Sequence, residues 1–167
     1  MKPWFDRIAP QRVGIHLRAE DRDHLESLGE LFRDLLVADD SSLYRLFPPV
    51  VMDDVAANEE YHSLMRGELT KRRLDSLDAF NAALTESEIS DTQLWSVLTT
   101  MNDIRLVMSA MLGIHTDEDL DRLYGEIGNE DERLALLIAS ETLGFLIEQA
   151  VDVLSDSLPA TIDDEDE

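Results

Sequence analysis

The chain has 167 residues, of which 37 are Asp or Glu and only 14 are Lys or Arg, and it contains no cysteine. Disulfides and thiolate metal sites are therefore excluded, and a reducing compartment is expected. No apolar run reaches the length of a membrane span, and the N-terminal MKPWFDR carries no apolar signal segment, so the sequence predicts one cytoplasmic domain.

The negative charge is concentrated in the second half of the chain. Residues 1–73 contain 11 Lys or Arg and 14 Asp or Glu, a net charge of −3, whereas residues 74–167 contain 3 and 23, a net charge of −20. Such a surface does not neutralise phosphate groups and is repelled by anionic lipid, so we expect neither a nucleic acid nor a membrane as partner. The acidity either keeps the protein soluble or forms a docking face for a basic protein partner.

The N-terminal part of the chain predicts a short β-hairpin followed by a helix. Val13, Ile15 and Leu17 alternate with less apolar residues, which is typical of a half-buried strand, so residues 4–18 are predicted to form the hairpin. A lone hairpin is marginal in water, so it must pack on helices or pair with a second chain in a homodimer. Residues 20–37 carry leucines at three- and four-residue spacing and are predicted to form the first helix.

Two long helices are predicted in the middle of the chain. Asn58 is a candidate N-cap for a helix over residues 58–84. Gly67 indicates a kink or a close helix contact there, because glycine inside a helix costs about 1 kcal/mol relative to alanine. Ser90 and Gly113 are the expected N-cap and terminating residue of the next helix.

The C-terminal part predicts a short helix, a long apolar helix and a tail. The short helix begins at Thr116 with an imperfect capping box and ends near Gly125. The last helix runs from residue 129 or 130 to 158, and residues 159–167 form an acidic, disordered tail with too little apolar content to fold. The predicted fold class is thus mostly α, a single-domain bundle of four to five helices over residues 1–158 with a short N-terminal β-hairpin.

An arginine lies within the apolar face of the central helix. On a helical wheel Arg105 falls among the apolar residues predicted to be buried, Asn102 lies beside them, and Asp103 falls on the opposite, solvent side. A buried guanidinium without a partner is costly. Glu141 is the only charged residue in the apolar stretch 134–147, so we predict a hydrogen-bonded pair between Arg105 and Glu141 in the core.

A second arginine, Arg73, lies within the apolar face of the preceding helix. If Arg73, Arg105 and Asn102 converge on Glu141, positive charge is left over. This candidate site is then either a closed polar network that fixes the register of the helices or an open binding site for a small carboxylate or phosphate anion. A third alternative is that Arg73 reaches solvent along its apolar stem.

No motif in the sequence assigns catalytic residues or a cofactor. A G-x-S-x-G nucleophile elbow and a glycine-rich phosphate loop are both missing from it. Glu59-x-x-His62 has the spacing found in di-iron carboxylate bundles, but such a site needs a second pair, and Asp21-x-x-His24 has the wrong acid. We therefore predict no metal site and favour a protein without enzymatic activity.

Two segments carry a resemblance to a known family. They are WSVLTTMNDIRLVMSAMLGI, from Trp95 to Ile114, and EYHSLMRGELTKRRL, from Glu60 to Leu74. With them the chain resembles, loosely over nearly its whole length, the actinobacterial domain-of-unknown-function family two thousand and seventeen. The matching polar positions are Arg73, Asn102, Asp103 and Arg105. The resemblance implies an intracellular, mostly helical protein with no assigned activity, and members are often encoded beside the adaptor of the Clp protease, which implies a role in proteostasis or regulation.

Composition, charge and resemblance together predict a cytoplasmic, non-enzymatic interaction or regulatory protein. Its partner is expected to be a protein, and a basic one if the acidic half of the chain forms the contact. The alternative is a sensor or enzyme that binds a small carboxylate or phosphate through the arginine cluster.

Overall fold

The computed structural model describes residues 3–47 and 55–156 and confirms a mostly α-helical fold with a small N-terminal sheet. Its elements, in chain order, are β1 (Phe5–Ala9), β2 (Arg12–Ile15), α1 (Ala19–Ala38), a 3₁₀ turn (Ser41–Arg45), α2 (Val55–Thr85), β3 (Glu88–Ser90), α3 (Asp91–Met111), α4 (Asp117–Glu126) and α5 (Arg133–Ser155). The predicted N-cap of the second helix is wrong, because α2 already begins at Val55 and Asn58 lies inside it. The last helix covers Arg133–Ser155, within its predicted bounds, and the predicted acidic tail falls outside the described residues.

The sheet has three antiparallel strands in the order β1-β2-β3. β1 and β2 form the predicted hairpin, and Gln11 in its turn adopts a left-handed backbone with φ 59°. β3 was not predicted, because a three-residue strand whose only apolar residue is Ile89 is too short to show an alternating pattern. Phe5, Val13 and Ile89 are buried and join the sheet to the helical core.

The hairpin is fastened to the helices of its own chain, which is the first of its two predicted arrangements. Arg7 donates one hydrogen bond to Asp91 Oδ1 over 2.5 Å and a second to the carbonyl of Val153 over 2.7 Å. The backbone N–H of Trp4 donates to Gln149 Oε1 over 2.8 Å. The sheet therefore lies where the start of α3 meets the end of α5.

α3 is the central element of the fold. Its ends are as predicted: the Ser90 hydroxyl accepts from the backbone of Gln93 in a complete capping box, and Gly113 follows the helix with φ 69°. α3 packs against α2, α5 and the 3₁₀ turn, and its side chains are therefore buried on more than one side. Those buried residues are Leu94, Val97, Thr100, Met101, Ile104, Val107 and Met108.

α5 is the most apolar helix, and one of its sides is left uncovered. Within residues 3–47 and 55–156 it is the one helix whose length and mean hydropathy of 1.6 would suffice to cross a membrane, which was not expected from the sequence. Buried members of the same helix, among them Leu143, Leu146 and Ala150, are part of the main core. Ile138 and Phe145 are 56% and 51% exposed. α5 therefore both closes the core and presents an apolar surface.

Candidate functional site

The four residues of the predicted site do not come together in the core. Arg73 is mostly buried, whereas Arg105, Asn102 and Glu141 are exposed. None of the hydrogen bonds and ion pairs formed by the described residues joins Arg105 to Glu141. The predicted buried pair between these two residues is therefore wrong.

The buried face of α3 includes most of its apolar arc but extends from it towards Thr100 and Val107, away from Arg105, which explains this error. α2 packs on one side of α3, where the Thr100 hydroxyl donates to the carbonyl of Ser76 over 3.3 Å and Val107 is buried. Because of this contact, the most buried side of α3 lies nearer to Asp103 than the apolar arc alone indicates. Arg105 then emerges at the edge of the helix interface, and Asp103, predicted on the solvent side, is only 15% exposed.

The ion pair of Arg73 is formed with Asp103 instead. Arg73 Nε lies 3.3 Å from Asp103 Oδ2, and Arg73 Nη2 donates to the carbonyl of Leu46 over 3.1 Å. The Nε–H is not aligned for a hydrogen bond to that carboxylate, so the contact is an ion pair held by charge alone. Burial raises the pKa of Asp103, and the nearby Arg73 guanidinium lowers it by less.

The ring of Phe47 completes this cluster. The guanidinium groups of Arg66 and Arg73 lie over it, 4.7 and 5.1 Å from the ring centroid. Arg66 also pairs with Asp39, the residue that ends α1, over 2.5 Å. Each arginine is thus committed to a carboxylate and to the ring, and the cluster ties α1, α2 and α3 together as a closed network. It has no guanidinium left over for a ligand.

The open site is a cleft of about 190 Å³ between the 3₁₀ turn, the α3–α4 connection and α5. We call it the arginine cleft. Its charged and titratable lining residues are Arg45, Arg105, His115, Asp117 and Glu141. The structure thus brings Arg105 and Glu141 to one cleft, as lining residues and not as a pair, and leaves Arg73 and Asn102 out of it.

Arg45 and His115 are held on one wall of the cleft by a chain of contacts. Arg45 donates from Nη2 to the carbonyl of Ile114 and lies 3.0 Å from His115 Nδ1, while its Nε donates to the Tyr44 hydroxyl over 3.1 Å. The Tyr44 hydroxyl lies 3.3 Å from the same His115 nitrogen. Because Arg45 can only donate, His115 Nδ1 is the acceptor in this contact.

The start of α4 fixes the position of His115. The backbone N–H groups of His115 and Thr116 donate to Asp119 Oδ2 over 2.9 and 3.0 Å, and the Thr116 hydroxyl accepts from the backbone of Asp119. The capping box is therefore complete although Asp replaces the usual Glu. The pKa of Asp119 is lowered to about 2, first by the hydrogen bond from the His115 backbone and then by the hydrogen bond from the Arg122 side chain.

Arg105 lies on the opposite wall, against α5. Its guanidinium packs on Gly144, where a Cβ atom would lie only 3.3 Å from Arg105 Nε. Glu141 on the same helix is close to Tyr124 of α4, whose pKa is raised by its partial desolvation and then by the charge of Glu141. Glu141 thus interacts with a tyrosine, and none of the ion pairs among the described residues joins it to an arginine.

The pairing of the arginines separates this cleft from the rest of the surface. Within the part of the chain that the structure describes, ten Lys or Arg side chains form an ion pair with a carboxylate: Arg7, Arg12, Arg18, Arg33, Arg66, Lys71, Arg72, Arg73, Arg122 and Arg133. Arg22, Arg45 and Arg105 do not. Two of these three line the arginine cleft, in a protein with far more acidic than basic residues.

Sequence reasoning missed the contact between Arg45 and His115, although His115 is the exposed loop residue that its place after the central helix predicts. Some 70 residues separate them along the chain, and neither lies in a recognisable motif. They meet because the 3₁₀ turn packs on α3. As for metals, no group of three or more His, Asp or Glu side chains in residues 3–47 and 55–156 is arranged to hold an ion.

The outward side of α5 is a second candidate site, which we call the α5 face. Ile138 and Phe145 are seven residues apart and therefore lie on the same side of the helix, two turns apart. Glu141, Glu148 and Asp152 are exposed and border this pair on the helix surface. The α5 face thus combines an apolar centre with an acidic edge.

These features describe a mostly helical protein with a small antiparallel sheet, a closed arginine network and two exposed sites. The chain belongs to the family described as Domain of unknown function (DUF2017), whose model matches residues 2–154. The family resemblance carried by the segments around Arg73 and Arg105 is thereby confirmed. No match was found among curated proteins or among solved structures.

Proposed function

We propose that this protein is a cytoplasmic, non-enzymatic regulatory protein that binds a basic segment of a partner protein through the α5 face. The observation that carries the proposal is the pair Ile138 and Phe145, more than half exposed on the most apolar helix and bordered by acidic side chains. Exposed apolar groups with a polar rim are typical of protein-binding surfaces.

The chemistry of the face defines the partner. A basic amphipathic helix would place apolar side chains against Ile138 and Phe145 and Lys or Arg against Glu141, Glu148 and Asp152. Full burial of an apolar side chain is worth about 1.5–3 kcal/mol, so covering the exposed half of Phe145 would contribute on the order of 1 kcal/mol. The net charge of −20 in residues 74–167 would accelerate the encounter with a basic partner in a salt-dependent way.

Site-specific photo-crosslinking tests the proposal. A photoreactive phenylalanine analogue at position 145 should capture a basic protein in a native lysate, and the double variant I138S/F145S should lose that protein from a pull-down. The matched control is Val37→Ser, which removes another exposed apolar residue, on α1. The family resemblance directs the first search to proteins of regulated proteolysis. Retention of the same partner by the double variant would contradict the proposal.

A second candidate function is the binding of a small carboxylate or phosphate in the arginine cleft. It is favoured by Arg45 and Arg105, which line the cleft without a carboxylate pair. An anion bound between two guanidinium groups would form charge-assisted hydrogen bonds. Asp117 and Glu141 on the same lining would favour a ligand that also carries an ammonium group.

Thermal shift measurements with inorganic phosphate and with glycine, against chloride at equal ionic strength, test this second candidate. A bound ligand raises the free energy of unfolding by about 2.7 kcal/mol at a hundredfold excess over Kd. The gain should disappear in Arg105→Gln and persist in Arg22→Gln, which removes the third arginine without a carboxylate pair, outside the cleft. Equal gains in both variants would assign the effect to general screening and contradict the site.

A further inference from the structure

Among the described residues, the first two thirds of α2 contribute no fully buried side chain, although Arg66 lies over Phe47 and Leu74 packs against the core. Among the described side chains of residues 55–76 none is buried, and the first buried residue of this helix is Leu77. We call residues 55–72 the α2 arm; as a helix it is about 27 Å long. Helices in proteins gain most of their stability from tertiary packing, so this weakly packed arm offers a surface to a partner.

An apolar stripe runs along this arm. Tyr61, Leu64 and Met65 are 41%, 70% and 37% exposed. Their spacing of three and four residues places them on one side of the helix. The stripe is therefore not covered by the chain's own core, and its spacing is suited to packing against another helix.

We propose that the occupant of this stripe is the α2 arm of a second copy of the chain, packed antiparallel about a twofold axis. The arm has Glu59 and Glu60 near its beginning and Lys71 and Arg72 at its end. Antiparallel packing brings the acidic end of one arm to the basic end of the other, and the twofold axis repeats the contact. Residues 59–72 hold three acidic and three basic side chains, so two copies meet here without the repulsion that the acidic second half would cause.

Gly67 is a second, independent observation that supports the antiparallel arrangement. A Cβ atom added at Gly67 would meet nothing within 4 Å, so no contact with its own chain requires a glycine there. Glycine is unfavourable inside a helix, but it allows another helix to approach closely. If Glu60 lies opposite the partner's Lys71, then Leu64 lies opposite the partner's Gly67. The missing side chain leaves the space into which an exposed leucine can pack.

The mass of the full chain in solution, measured by light scattering over a wide range of protein concentrations, tests the dimer. The wild type should approach twice the 18.9 kDa of one chain as concentration rises. Leu64→Asp should remain at the mass of one chain. Val37→Asp, an equally exposed apolar residue on α1, should dimerise as the wild type does. A wild type that stays at 18.9 kDa throughout, or an L64D variant that still dimerises, would overturn the proposal.

Charge reversal tests the antiparallel arrangement itself. E60K and K71E should each weaken the dimer at least tenfold, because each places like charges opposite one another in both symmetric contacts. The double variant E60K/K71E should restore association, since the two charges are exchanged across the interface. Both positions are exposed, so circular dichroism should show unchanged folding in all three variants. If the double variant instead weakens the dimer by the sum of the two single effects, the antiparallel pairing is wrong. The dimer would then form by parallel packing of the arms or through the hairpin.

Discussion

The ion pair between Arg73 and Asp103 should respond unequally to the loss of its two members. We expect Arg73→Met, which keeps an apolar stem of similar length, to destabilise the fold substantially, and Asp103→Asn to have a small effect at neutral pH. The reason is that burial raises the pKa of Asp103 even in the presence of Arg73. The cost of burying the carboxylate therefore exceeds the attraction it receives from the guanidinium.

The magnitudes follow from the contacts. Two charges 3.3 Å apart attract with about 5 kcal/mol at an effective dielectric constant of roughly 20, but for Asp103 desolvation cancels this gross value. Arg73→Met also loses a charged hydrogen bond to the Leu46 carbonyl, worth about 1.5–3 kcal/mol, and the contact with Phe47, worth about 0.5–1 kcal/mol. We expect a loss of about 2–4 kcal/mol for Arg73→Met and less than about 1 kcal/mol for Asp103→Asn.

The pH dependence has a defined sign. A raised pKa means that the folded protein binds a proton at Asp103 before the unfolded chain does at its ordinary value of 3.8. This contribution to stability is fully present at pH values below 3.8 and is lost as the pH rises through the raised pKa of the folded state. Asp103→Asn lacks it, so the wild type should become more stable relative to this variant as the pH is lowered through that window.

Urea denaturation of the wild type and both variants, at neutral pH and in steps towards pH 4, measures these differences. A control at the same helix interface is Thr100→Val, which removes a hydrogen bond without changing a charge and should show no such pH dependence. If Asp103→Asn costs as much as Arg73→Met, or if its effect does not change with pH, burial does not dominate the energetics of Asp103.

Two further substitutions test other parts of the structure. Gly144→Ala should raise the free energy of unfolding by about 0.5–1 kcal/mol, seen as a higher Tm, because it removes a glycine from a helix interior and Arg105 can yield by a few tenths of an ångström. Phe80→Ala, at a fully buried position, should cost about 3–5 kcal/mol in chemical denaturation, whereas Phe145→Ala at 51% exposure should stay within about 0.5 kcal/mol. A large loss for Phe145→Ala would mean that the α5 face is part of the core.

The local rules of helix and turn formation were sufficient to predict most of the elements. The hairpin follows from an alternating pattern, and the ends of α3 follow from a capping serine and a glycine with positive φ, because these signals act over only a few residues. The family also follows from sequence, since its two most specific segments are continuous stretches of chain. β3 was missed because it is short and exists only through its pairing with β2.

The candidate site could be predicted in its parts but not in its arrangement. The wheel placed Arg105 in the core because it counted only the apolar arc of α3 and did not include the contact of α2 with Thr100. That contact extends the buried side of α3 towards Asp103, which pairs with Arg73, and Arg105 is left at the edge. Which helix covers which side of a neighbouring helix depends on the sum of all tertiary contacts, so a local sequence pattern does not predict it.

Local patterns in the sequence thus predicted much of the fold: four to five helices, the N-caps of α3 and α4, an acidic second half, and an arginine whose charge required an explanation. Which partner each charged side chain pairs with follows only from the tertiary structure. It closed Arg73 within a network around Phe47 and Asp103, and it left Arg105 open in a cleft with Arg45, a residue distant in sequence. The physical reason is that secondary structure depends on neighbours along the chain, whereas the burial and pairing of a charge depend on neighbours in space.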